Sequence, residues 1–317
     1  MKICLIVNPA AGRGRASRAL PRIRRAFAAE GVTDIRLTVA AGDEERLARA
    51  ALNDGVGTIV AVGGDGTCVR IANVIIASGS SCRLGLVPVG TGNDFAKTVG
   101  VLKLSVKAIA ALCAGQSVAR MDVGRVEGFY FLNSCGFGID PAVLESTLRT
   151  KWLKGDAVYI WTALRKLFTY GGVSVQVSGS RGEDGGGGGN GGGGGGGADG
   201  SGRARTMMMI IVSNGPNLGG AFRIAPEASV CDGQLDVHLF EDASPLRRLR
   251  IFIAALRGTH SGMSGVRFER RFSLGLKFDS PQQMEVDGEL RAAKSAELLI
   301  ECIPGALSVV AAPGYPR

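Results

Sequence analysis

Hydrophobic positions in the N-terminal third of the chain follow two alternating patterns. Four short apolar runs each end at a turn, as buried strands of a parallel sheet do: residues 2–7, 34–40, 58–62 and 83–89. The stretches between them carry apolar residues at helical spacing and stop at a glycine, as in Ala16, Leu20, Ile23, Phe27 and Gly31. Strand, turn and helix in succession predict a parallel α/β sheet that binds its ligand at the carboxyl ends of the strands.

The pattern changes at residue 122. Downstream, short β-type runs separated by turns are typical of an antiparallel sheet. One helical stretch interrupts them over residues 142–172 and is broken at Gly155. We predict an α/β plus all-β chain: a parallel-sheet domain over residues 1–122 and a β-sandwich domain over 123–300. A C-terminal strand over 301–317 could return to the first domain.

Residues 183–202 form a glycine-rich, low-complexity segment. It offers no side chains with which to build a core, so we predict a disordered loop inserted in the second domain. Loops of this kind lengthen at little cost in free energy, and the segment therefore indicates no function by itself.

The net charge and the cysteine content indicate which binding partners and which cellular compartment to expect. The formal net charge of +9 favours anionic partners such as nucleotides, nucleic acid or acidic lipid surfaces. The seven cysteines are scattered and form no CxxC pair, which is typical of reduced thiols in a cytoplasmic protein. No segment of the sequence approaches the roughly 18 consecutive apolar residues of a membrane span. We expect a cytoplasmic chain that could still touch a membrane from its surface.

Three glycine-rich turns follow three of the predicted strands, at residues 8–14, 63–67 and 90–94. Adjacent parallel strands would bring these turns to one edge of the sheet, where backbone N–H groups and hydroxyls could bind a polyphosphate. Asp65 could hold magnesium there, directly or through water. The side chains that could bond phosphate oxygens are Thr67, Thr91 and Asn93. Phosphoryl transfer requires this kind of positioning and charge neutralisation.

Two widespread phosphate-binding motifs are not matched. The Walker pattern, with its Gly-Lys-Ser/Thr end, does not occur in the sequence. Gly12 and Gly14 fit the start of a dinucleotide fingerprint, but the third position of that fingerprint is Ser17. The second predicted strand also lacks a terminal acidic residue that would hold a ribose.

The combination of motifs resembles the catalytic domain of the diacylglycerol kinase family of lipid kinases. The matching stretches are NPAAG, GGDGT, VPVGTGNDFA, DGQLDV and EVDGE, in this order over nearly the whole chain. That family includes soluble bacterial diacylglycerol kinases, sphingosine kinases and ceramide kinases, whereas GGDGT alone would also suit NAD kinases and phosphofructokinases. The resemblance implies an ATP-binding N-terminal domain of the NAD kinase/diacylglycerol kinase type and a C-terminal β-sandwich, with the active site in the cleft between them.

The resemblance also implies roles for single residues. Glu289 matches the proposed general base that takes the proton from the lipid hydroxyl, and Asp65 is the carboxylate of the catalytic loop. Asp232 matches a ligand of a structural Mg²⁺ ion, completed by main-chain carbonyls of Ser229 and Gln234. The implied nucleotide-binding residues are Asn8, Pro9, Ala10, Ala11, Gly12, Thr38, Gly63, Gly64, Asp65, Gly66, Thr67, Gly90, Thr91, Asn93 and Asp94. ATP and Mg²⁺ are therefore the expected cofactors.

The residues after GGDGT depart from the family pattern. Bacterial members usually continue with a Leu-Asn-Glu-like stretch, whereas this chain has Cys68, Val69 and Arg70. A carboxylate position thus carries a cation, which could pair with phosphate or replace a lost ion pair. Because Asp65 and Glu289 are both present, we expect an active enzyme.

Residues 151–168 interleave aromatic and basic side chains, including both tryptophans. This composition fits either a helix that binds the surface of an anionic membrane or an internal amphipathic helix that covers the sandwich. Because a lipid acceptor is insoluble, we predict peripheral, salt-sensitive binding to the membrane.

The leading interpretation is an ATP- and Mg²⁺-dependent lipid kinase that converts diacylglycerol to phosphatidic acid. The alternatives are a NAD kinase-like small-molecule kinase, which shares GGDGT, and a non-catalytic nucleotide- or lipid-binding regulator, for which Arg70 is the only hint. No recognition motif supports a nucleic-acid partner, and His238 and His260 look structural. The sequence leaves the acceptor lipid and the oligomeric state open, with a homodimer among the options.

Overall fold

The computed structural model of the chain describes residues 1–149, 156–179 and 203–315. The glycine-rich segment 183–202, for which we predicted a disordered loop, lies outside the described residues. The same holds for Lys151, Trp152 and Lys154, at the start of the predicted interfacial segment.

The N-terminal region alternates strands and helices. Its elements are β1 (Ile3–Val7), α1 (Ala11–Ala28), β2 (Asp34–Leu37), α2 (Asp43–Asn53), β3 (Thr58–Gly63), α3 (Asp65–Ala77), β4 (Arg83–Pro88), α4 (Asp94–Thr98) and α5 (Val106–Ala114). The strands pair in parallel in the order β2–β1–β3–β4. The apolar runs of β1 and β3 are almost wholly buried, as expected for a parallel sheet that is covered on both faces. The predicted parallel α/β fold of this region is confirmed.

The C-terminal region is dominated by antiparallel strands. Its elements are β5 (Ala119–Val126), β6 (Phe129–Phe131), β7 (Ser134–Gly138), α6 (Ile139–Arg149), α7 (Asp156–Thr169), β8 (Val173–Ser178), β9 (Arg205–Ser213), β10 (Leu235–Glu241), α8 (Pro245–Arg257), β11 (Val266–Arg271), β12 (Ser273–Phe278), β13 (Gln283–Val286), β14 (Glu289–Ala292) and β15 (Glu297–Val309). The predicted helical stretch corresponds to α6 and α7, and helix α8 ends shortly before His260.

The strands of the C-terminal region pair in the order β14–β13–β7–β9–β8–β12–β15, with β10 and β11 attached through β9. Two apolar clusters form on them. One lies among the strands around Phe131, Phe137 and Ile300. The other lies beneath α7 and α8, around Ile211 and Phe240. The predicted β-sandwich character of this region is confirmed.

Strand β15 joins the two regions. Its first part pairs with β12, from Glu297 to Glu301, and its last residue, Val309, pairs in parallel with Leu84 of β4. Between these points it runs antiparallel to β5, with a shift of register between Ile303 and Leu307. Strand β4 of the N-terminal sheet is therefore joined directly to the C-terminal strands.

Candidate active site

The three glycine-rich turns lie side by side at the carboxyl ends of β1, β3 and β4. Asn8 Nδ2 donates to Thr67 Oγ1 over 3.3 Å and joins the first turn to the second. Arg15 Nη2 donates to the carbonyl oxygen of Gly90 over 2.6 Å and joins the first turn to the third. A Cβ atom on Gly90 would lie 2.4 Å from the Cα of Gly64, so the second and third turns touch through their backbones. We call these turns, residues 8–14, 63–67 and 90–94, the glycine-loop cluster.

The first turn is shaped by its own backbone. Gly12, Arg13 and Gly14 have positive φ angles and depart from helical geometry at the start of α1. A Cβ atom on Gly12 would lie 2.0 Å from the carbonyl oxygen of Val89, so only glycine fits here. Asn8 Oδ1 accepts a hydrogen bond from the backbone N–H of Ala10 over 3.1 Å and closes the turn that also contains Pro9.

Helix α3 begins inside the cluster. Its N-cap is Gly64, which has no side chain to cap the helix. The first-turn N–H groups of a helix lack intrahelical partners and carry the positive end of the helix dipole. This end of α3, which includes Gly66, can therefore bind a phosphate group.

Asp65 is the first residue of α3 and points at the start of α4. Its Oδ1 atom accepts a hydrogen bond from the backbone N–H of Phe95 over 3.1 Å. Burial raises the pKa of Asp65, and the neighbouring Asp94 carboxylate raises it further. A buried carboxylate beside a second carboxylate is stabilised in its charged form by a cation. The residues present therefore fit the predicted Mg²⁺ ion, with Asp65 as the group that would hold it.

Asp94 connects the third turn to the C-terminal region. Its Oδ1 accepts from Lys97 Nζ over 2.6 Å, and its Oδ2 accepts from the backbone N–H of Gly220 over 2.8 Å. Lys97 also donates to the carbonyl oxygen of Gly220 over 2.8 Å. These bonds place the loop that contains Gly220 next to the third turn of the glycine-loop cluster.

Three further predicted contact residues occupy different positions. Thr38 is buried just after β2, where its backbone N–H donates to the carbonyl oxygen of Val7 over 2.9 Å. Thr91 is exposed at the tip of the third turn. Asn93 adopts a left-handed conformation, and its Nδ2 donates to the carbonyl oxygen of Gly90 over 2.8 Å. Asn93 therefore shapes its own turn, which leaves Thr91 as the more accessible side chain for a ligand.

Glu44 is a member of the site that the sequence reasoning missed. It lies in the first turn of α2, is buried, and its Oε1 accepts hydrogen bonds from Asn8 Nδ2 over 3.0 Å and from Thr67 Oγ1 over 3.4 Å. Acidic residues are common in the first turn of any helix because they favour the helix dipole. The sequence therefore gave no sign that Glu44 also fixes two turns of the cluster.

Glu289 reaches the glycine-loop cluster from the C-terminal region. It begins β14, and its Oε1 atom lies 3.7 Å from the position that a Cβ on Gly66 would take. Arg70 Nη2 donates to the same oxygen over 2.6 Å, and Arg291 Nη2 donates to Oε2 over 3.2 Å. The structure thus brings the predicted base to the first turn of α3, although 219 positions separate Glu289 from Arg70.

The turn before Glu289 is fixed by buried Asp287. Its carboxylate accepts three backbone hydrogen bonds from the β6–β7 connection: from Leu132 over 2.6 Å, Asn133 over 2.8 Å and Ser134 over 3.0 Å. Burial raises the pKa of Asp287 to about 6, and the three N–H groups act against this rise. Asp287 itself adopts a left-handed backbone conformation, which turns the chain toward Glu289.

A second buried acid supports the same turn. Glu285 Oε1 accepts a hydrogen bond from the backbone N–H of Gly288, and the Asp140 carboxyl lies close to the Glu285 carboxyl. Burial, with the Asp140 charge as the next cause, raises the pKa of Glu285 well above its ordinary value. Neither Glu285 nor Asp140 was predicted from the sequence.

The predicted structural metal site lies in the turn before β10. Asp232 is exposed, and its Oδ1 accepts a hydrogen bond from the backbone N–H of Gln234 over 3.0 Å. Buried Asp122 fixes the same turn by accepting from Gly233 N–H over 2.7 Å. Among the described residues, no group of three or more His, Cys, Asp or Glu side chains is placed to hold a metal ion. The predicted set needs one carboxylate and the carbonyls of Ser229 and Gln234, a donor set that suits Mg²⁺.

An apolar pocket that is partly open to solvent lies between α6, α7 and α8. Its lining residues include Val143, Leu167, Met208, Leu218, Phe222 and Ile251. Asp140 lines one side of the pocket and lies close to Glu285, which holds the turn before Glu289. No helix in the described parts of the chain is both long and apolar enough to cross a bilayer.

Two family models match the chain in succession. The diacylglycerol kinase catalytic domain matches residues 2–126, and the YegS C-terminal NAD kinase beta sandwich-like domain matches residues 133–311. The first match ends with β5, which is already an antiparallel strand, and the second begins just before β7.

Curated relatives align over most of their length. A diacylglycerol kinase of Bacillus subtilis (strain 168) is 25% identical over 90% of this chain and 88% of its own. A "probable lipid kinase YegS-like" protein of Pseudomonas putida is 30% identical over 90% of this chain and 87% of its own.

A crystal structure from Bacillus anthracis str. Sterne shares the fold, with a TM-score of 0.75 at 23% identity over 99% of this chain and 96% of that chain. This likeness concerns the fold alone, whereas the family models and curated relatives identify the kind of protein. The chain belongs to the diacylglycerol kinase family of lipid kinases.

Proposed function

We propose that this protein is an ATP- and Mg²⁺-dependent kinase that phosphorylates the hydroxyl group of diacylglycerol and produces phosphatidic acid. The observation that carries the proposal is the position of Glu289 over the first turn of α3, where its Oε1 atom lies 3.7 Å from the position of a Cβ on Gly66. A base and a phosphate-binding helix end are thereby placed together, as transfer to an alcohol requires.

The glycine-loop cluster would bind the triphosphate through backbone N–H groups and Thr91. The hydroxyl oxygen of the lipid would bond to the γ-phosphorus while the bond from that phosphorus to the bridging oxygen of ADP breaks. The hydroxyl proton would pass to Glu289, and ADP would leave. Mg²⁺ held by Asp65 would supply positive charge for the phosphates. The turn with Asp232 would hold a second, structural Mg²⁺ ion.

The apolar pocket between α6, α7 and α8 would take the acyl chains of the acceptor. Its wall residue Asp140 lies close to Glu285, and Glu285 accepts a hydrogen bond from Gly288, the residue that precedes Glu289. A lipid with its chains in the pocket would therefore have its head group close to the proposed base. An apolar lining with few polar groups is typical of sites for such ligands.

The outer faces of α7 and α8 would bind the membrane. Exposed apolar side chains lie on both helices, with Trp161 and Phe168 on α7 and Leu246, Ile253 and Leu256 on α8. Basic side chains lie among them, including exposed Arg165, Arg250 and Arg257. Apolar contact with the bilayer and attraction to anionic head groups together favour interfacial binding. Such binding would place a cytoplasmic protein transiently on the inner face of the membrane.

The catalytic proposal is tested with labelled ATP, Mg²⁺ and mixed micelles that contain one candidate acceptor at a time: diacylglycerol, a sphingoid base, ceramide or phosphatidylglycerol, with NAD as the soluble acceptor. We expect phosphatidic acid as the main product. Glu289→Gln and Asp65→Asn should each lower turnover by at least about 1,000-fold, and only Asp65→Asn should greatly weaken binding of nucleotide with Mg²⁺.

The matched control is Glu297→Gln, which removes an exposed carboxylate on β15 that pairs with Lys277. It should keep wild-type turnover. Phosphorylation of NAD without any lipid product would replace the proposal by the NAD kinase alternative. Near-normal turnover of Glu289→Gln would show that another group accepts the proton.

A flotation assay tests the membrane face. The chain should bind vesicles that contain phosphatidylglycerol more tightly than vesicles of phosphatidylcholine, and salt should weaken the binding. The double variant Leu246→Glu/Ile253→Glu should lower bound protein by about tenfold, since both charges would enter the interface. Leu299→Glu, at an exposed apolar position on β15, should have no effect. If the two variants lost vesicle binding equally, α8 would not be part of the membrane-binding surface.

A further inference from the structure

Arg70 makes a contact that its place in the chain does not suggest. It lies in the second turn of α3, and its guanidinium reaches from the N-terminal region to Glu289, with Nη2 2.6 Å from Oε1. Its Nη1 atom lies 4.0 Å from Glu45 Oε1 on α2. In the described parts of the chain, Arg70 donates this one hydrogen bond, although a guanidinium carries five N–H donors. Most of its donors are thus available for another anion.

The two cations at Glu289 are held differently. Arg291 pairs with Oε2 over 3.2 Å, and its guanidinium carbon lies 3.6 Å from the centre of the Phe129 ring. Stacking on an aromatic ring fixes that guanidinium in place. Arg70 has no aromatic contact among the described residues, although the two side chains are similarly exposed, at 30% for Arg70 and 32% for Arg291. Arg70 is therefore the partner of Glu289 that can move.

Stability alone gives a weak reason for the Arg70–Glu289 pair. A partly exposed ion pair adds little to the free energy of unfolding, and Glu289 already has Arg291 as a partner. The position of the pair is more informative, because Glu289 Oε1 lies over Gly66 at the phosphate-binding end of α3. The Arg70 guanidinium is hydrogen-bonded to this oxygen and is therefore within reach of a phosphate bound at the helix end. A guanidinium can bind two oxygens of one phosphate group at once.

We propose that Arg70 is a phosphate-binding residue that exchanges Glu289 for the γ-phosphoryl group of the bound nucleotide. The inference deepens the proposed function and rests on it. In this scheme the triphosphate draws Arg70 from Glu289, and the Oε1 atom then faces the acceptor hydroxyl. Glu289, which must accept the proton, is therefore released from Arg70 only when a γ-phosphoryl group is present to receive the alcohol oxygen. ADP, which lacks the γ-phosphate, leaves the Arg70–Glu289 pair intact.

The exchange predicts a binding pattern that does not depend on the acceptor lipid. Calorimetry would compare a non-hydrolysable ATP analogue with ADP, both with Mg²⁺. Arg70→Gln should weaken binding of the analogue by about tenfold or more, since it removes charge-assisted hydrogen bonds. Binding of ADP should stay within about twofold. Arg70→Lys should recover part of the affinity, because it keeps the charge but not the fork of donors.

Glu289→Gln provides an opposite expectation. Without the competing carboxylate, Arg70 is available to the phosphate before the nucleotide binds. Because the wild type must first break the Arg70–Glu289 ion pair, the variant should bind the analogue about threefold more tightly than the wild type does. A purely structural ion pair would instead make Arg70→Gln and Glu289→Gln act alike. Should Arg70→Gln not fold, as judged by its melting temperature, the Glu289→Gln measurement decides the question.

The matched control is Arg49→Gln. Arg49 pairs with Glu45 over 3.0 Å on the surface of α2 and so shares the second partner of Arg70. It should leave binding of both nucleotides unchanged. An Arg70→Gln variant that keeps the wild-type preference for the analogue over ADP would overturn the inference, even if the wild type phosphorylates diacylglycerol. Failure of the proposed function is seen separately, as a wild type that phosphorylates no lipid.

Discussion

In the glycine-loop cluster the second and third turns touch through backbone atoms, whereas the turn that carries Glu289 is held by buried carboxylates. Gly64 and Gly90 approach so closely that an added methyl group would collide with backbone. Asp287, on the other side of the site, accepts three backbone hydrogen bonds at once. The first arrangement depends on the absence of side-chain atoms, and the second on the presence of particular acceptors. The glycine-rich turns should therefore be disrupted when a side chain is added, and the turn that carries Glu289 should be disrupted when a side chain is removed.

The largest effect is expected from an atom added to the backbone side. Gly90→Ala would place Cβ 2.4 Å from the Cα of Gly64, so the two turns must separate. We expect a loss of nucleotide affinity of about 100-fold and a loss of about 2 kcal/mol in the free energy of unfolding. Calorimetry with an ATP analogue and chemical denaturation measure the two effects. Gly262→Ala, where a Cβ meets nothing within 4 Å, should be neutral in both.

The next effect comes from an acceptor removed on the carboxylate side. Asp287→Ala would leave the backbone N–H groups of Leu132, Asn133 and Ser134 without their partner. We expect a loss of about 3 kcal/mol in the free energy of unfolding and a fall in kcat, with nucleotide affinity nearly unchanged. Denaturation in urea and steady-state kinetics check this. Asp279→Ala, at an exposed position, is the control, and a drop in nucleotide affinity for Asp287→Ala would erase the contrast between the two sides.

A smaller effect should appear on acidification. Burial lowers the pKa of His238 to about 3, and the adjacent His260 ring contributes to the shift. Because the unfolded chain takes up the proton near pH 6.5, the stability associated with neutral His238 is complete above that pH and is lost as the pH falls. Between pH 7 and pH 5 the wild type should lose about 2 kcal/mol more than His238→Gln. Thermal melts at both pH values test this, and parallel losses in the two proteins would contradict it.

The smallest effect is expected from an exposed pair outside the site. Lys277 and Glu297 pair between β12 and β15 with side chains that are 57% and 65% exposed. Glu297→Gln should change the free energy of unfolding by less than about 0.5 kcal/mol, because water screens such pairs. Urea denaturation of Glu297→Gln and Asp287→Ala in parallel would compare the contributions of an exposed and a buried carboxylate to the free energy of unfolding.

The same contrast explains what the sequence could predict. The glycine-rich turns are contiguous stretches that follow apolar strands, and both signals are local, so the parallel sheet and the cluster of turns were accessible from the pattern alone. The role of Glu289 was accessible only through its resemblance to a known family. As an isolated Asp-Gly-Glu turn, it would have passed for a surface loop.

The remaining residues could not be found by local reasoning. Asp287 meets its partners at a separation of 155 positions or slightly less, and Asp140 meets Glu285 only after β7 and β13 pair. Arg70 was recognised as unusual in sequence, but its partner was not. The pocket residues are ordinary apolar side chains, which carry no local sign of a binding site.

Strand β15 limits how the two sides of the site can move. It is hydrogen-bonded to β12 at one end and to β4 at the other, so a rotation of one region against the other must bend this strand. The register shift between Ile303 and Leu307 spans Pro304 and Gly305, where a bend disturbs the fewest ladder hydrogen bonds. Opening and closing of the cleft would thus bend a single strand at Pro304 and Gly305.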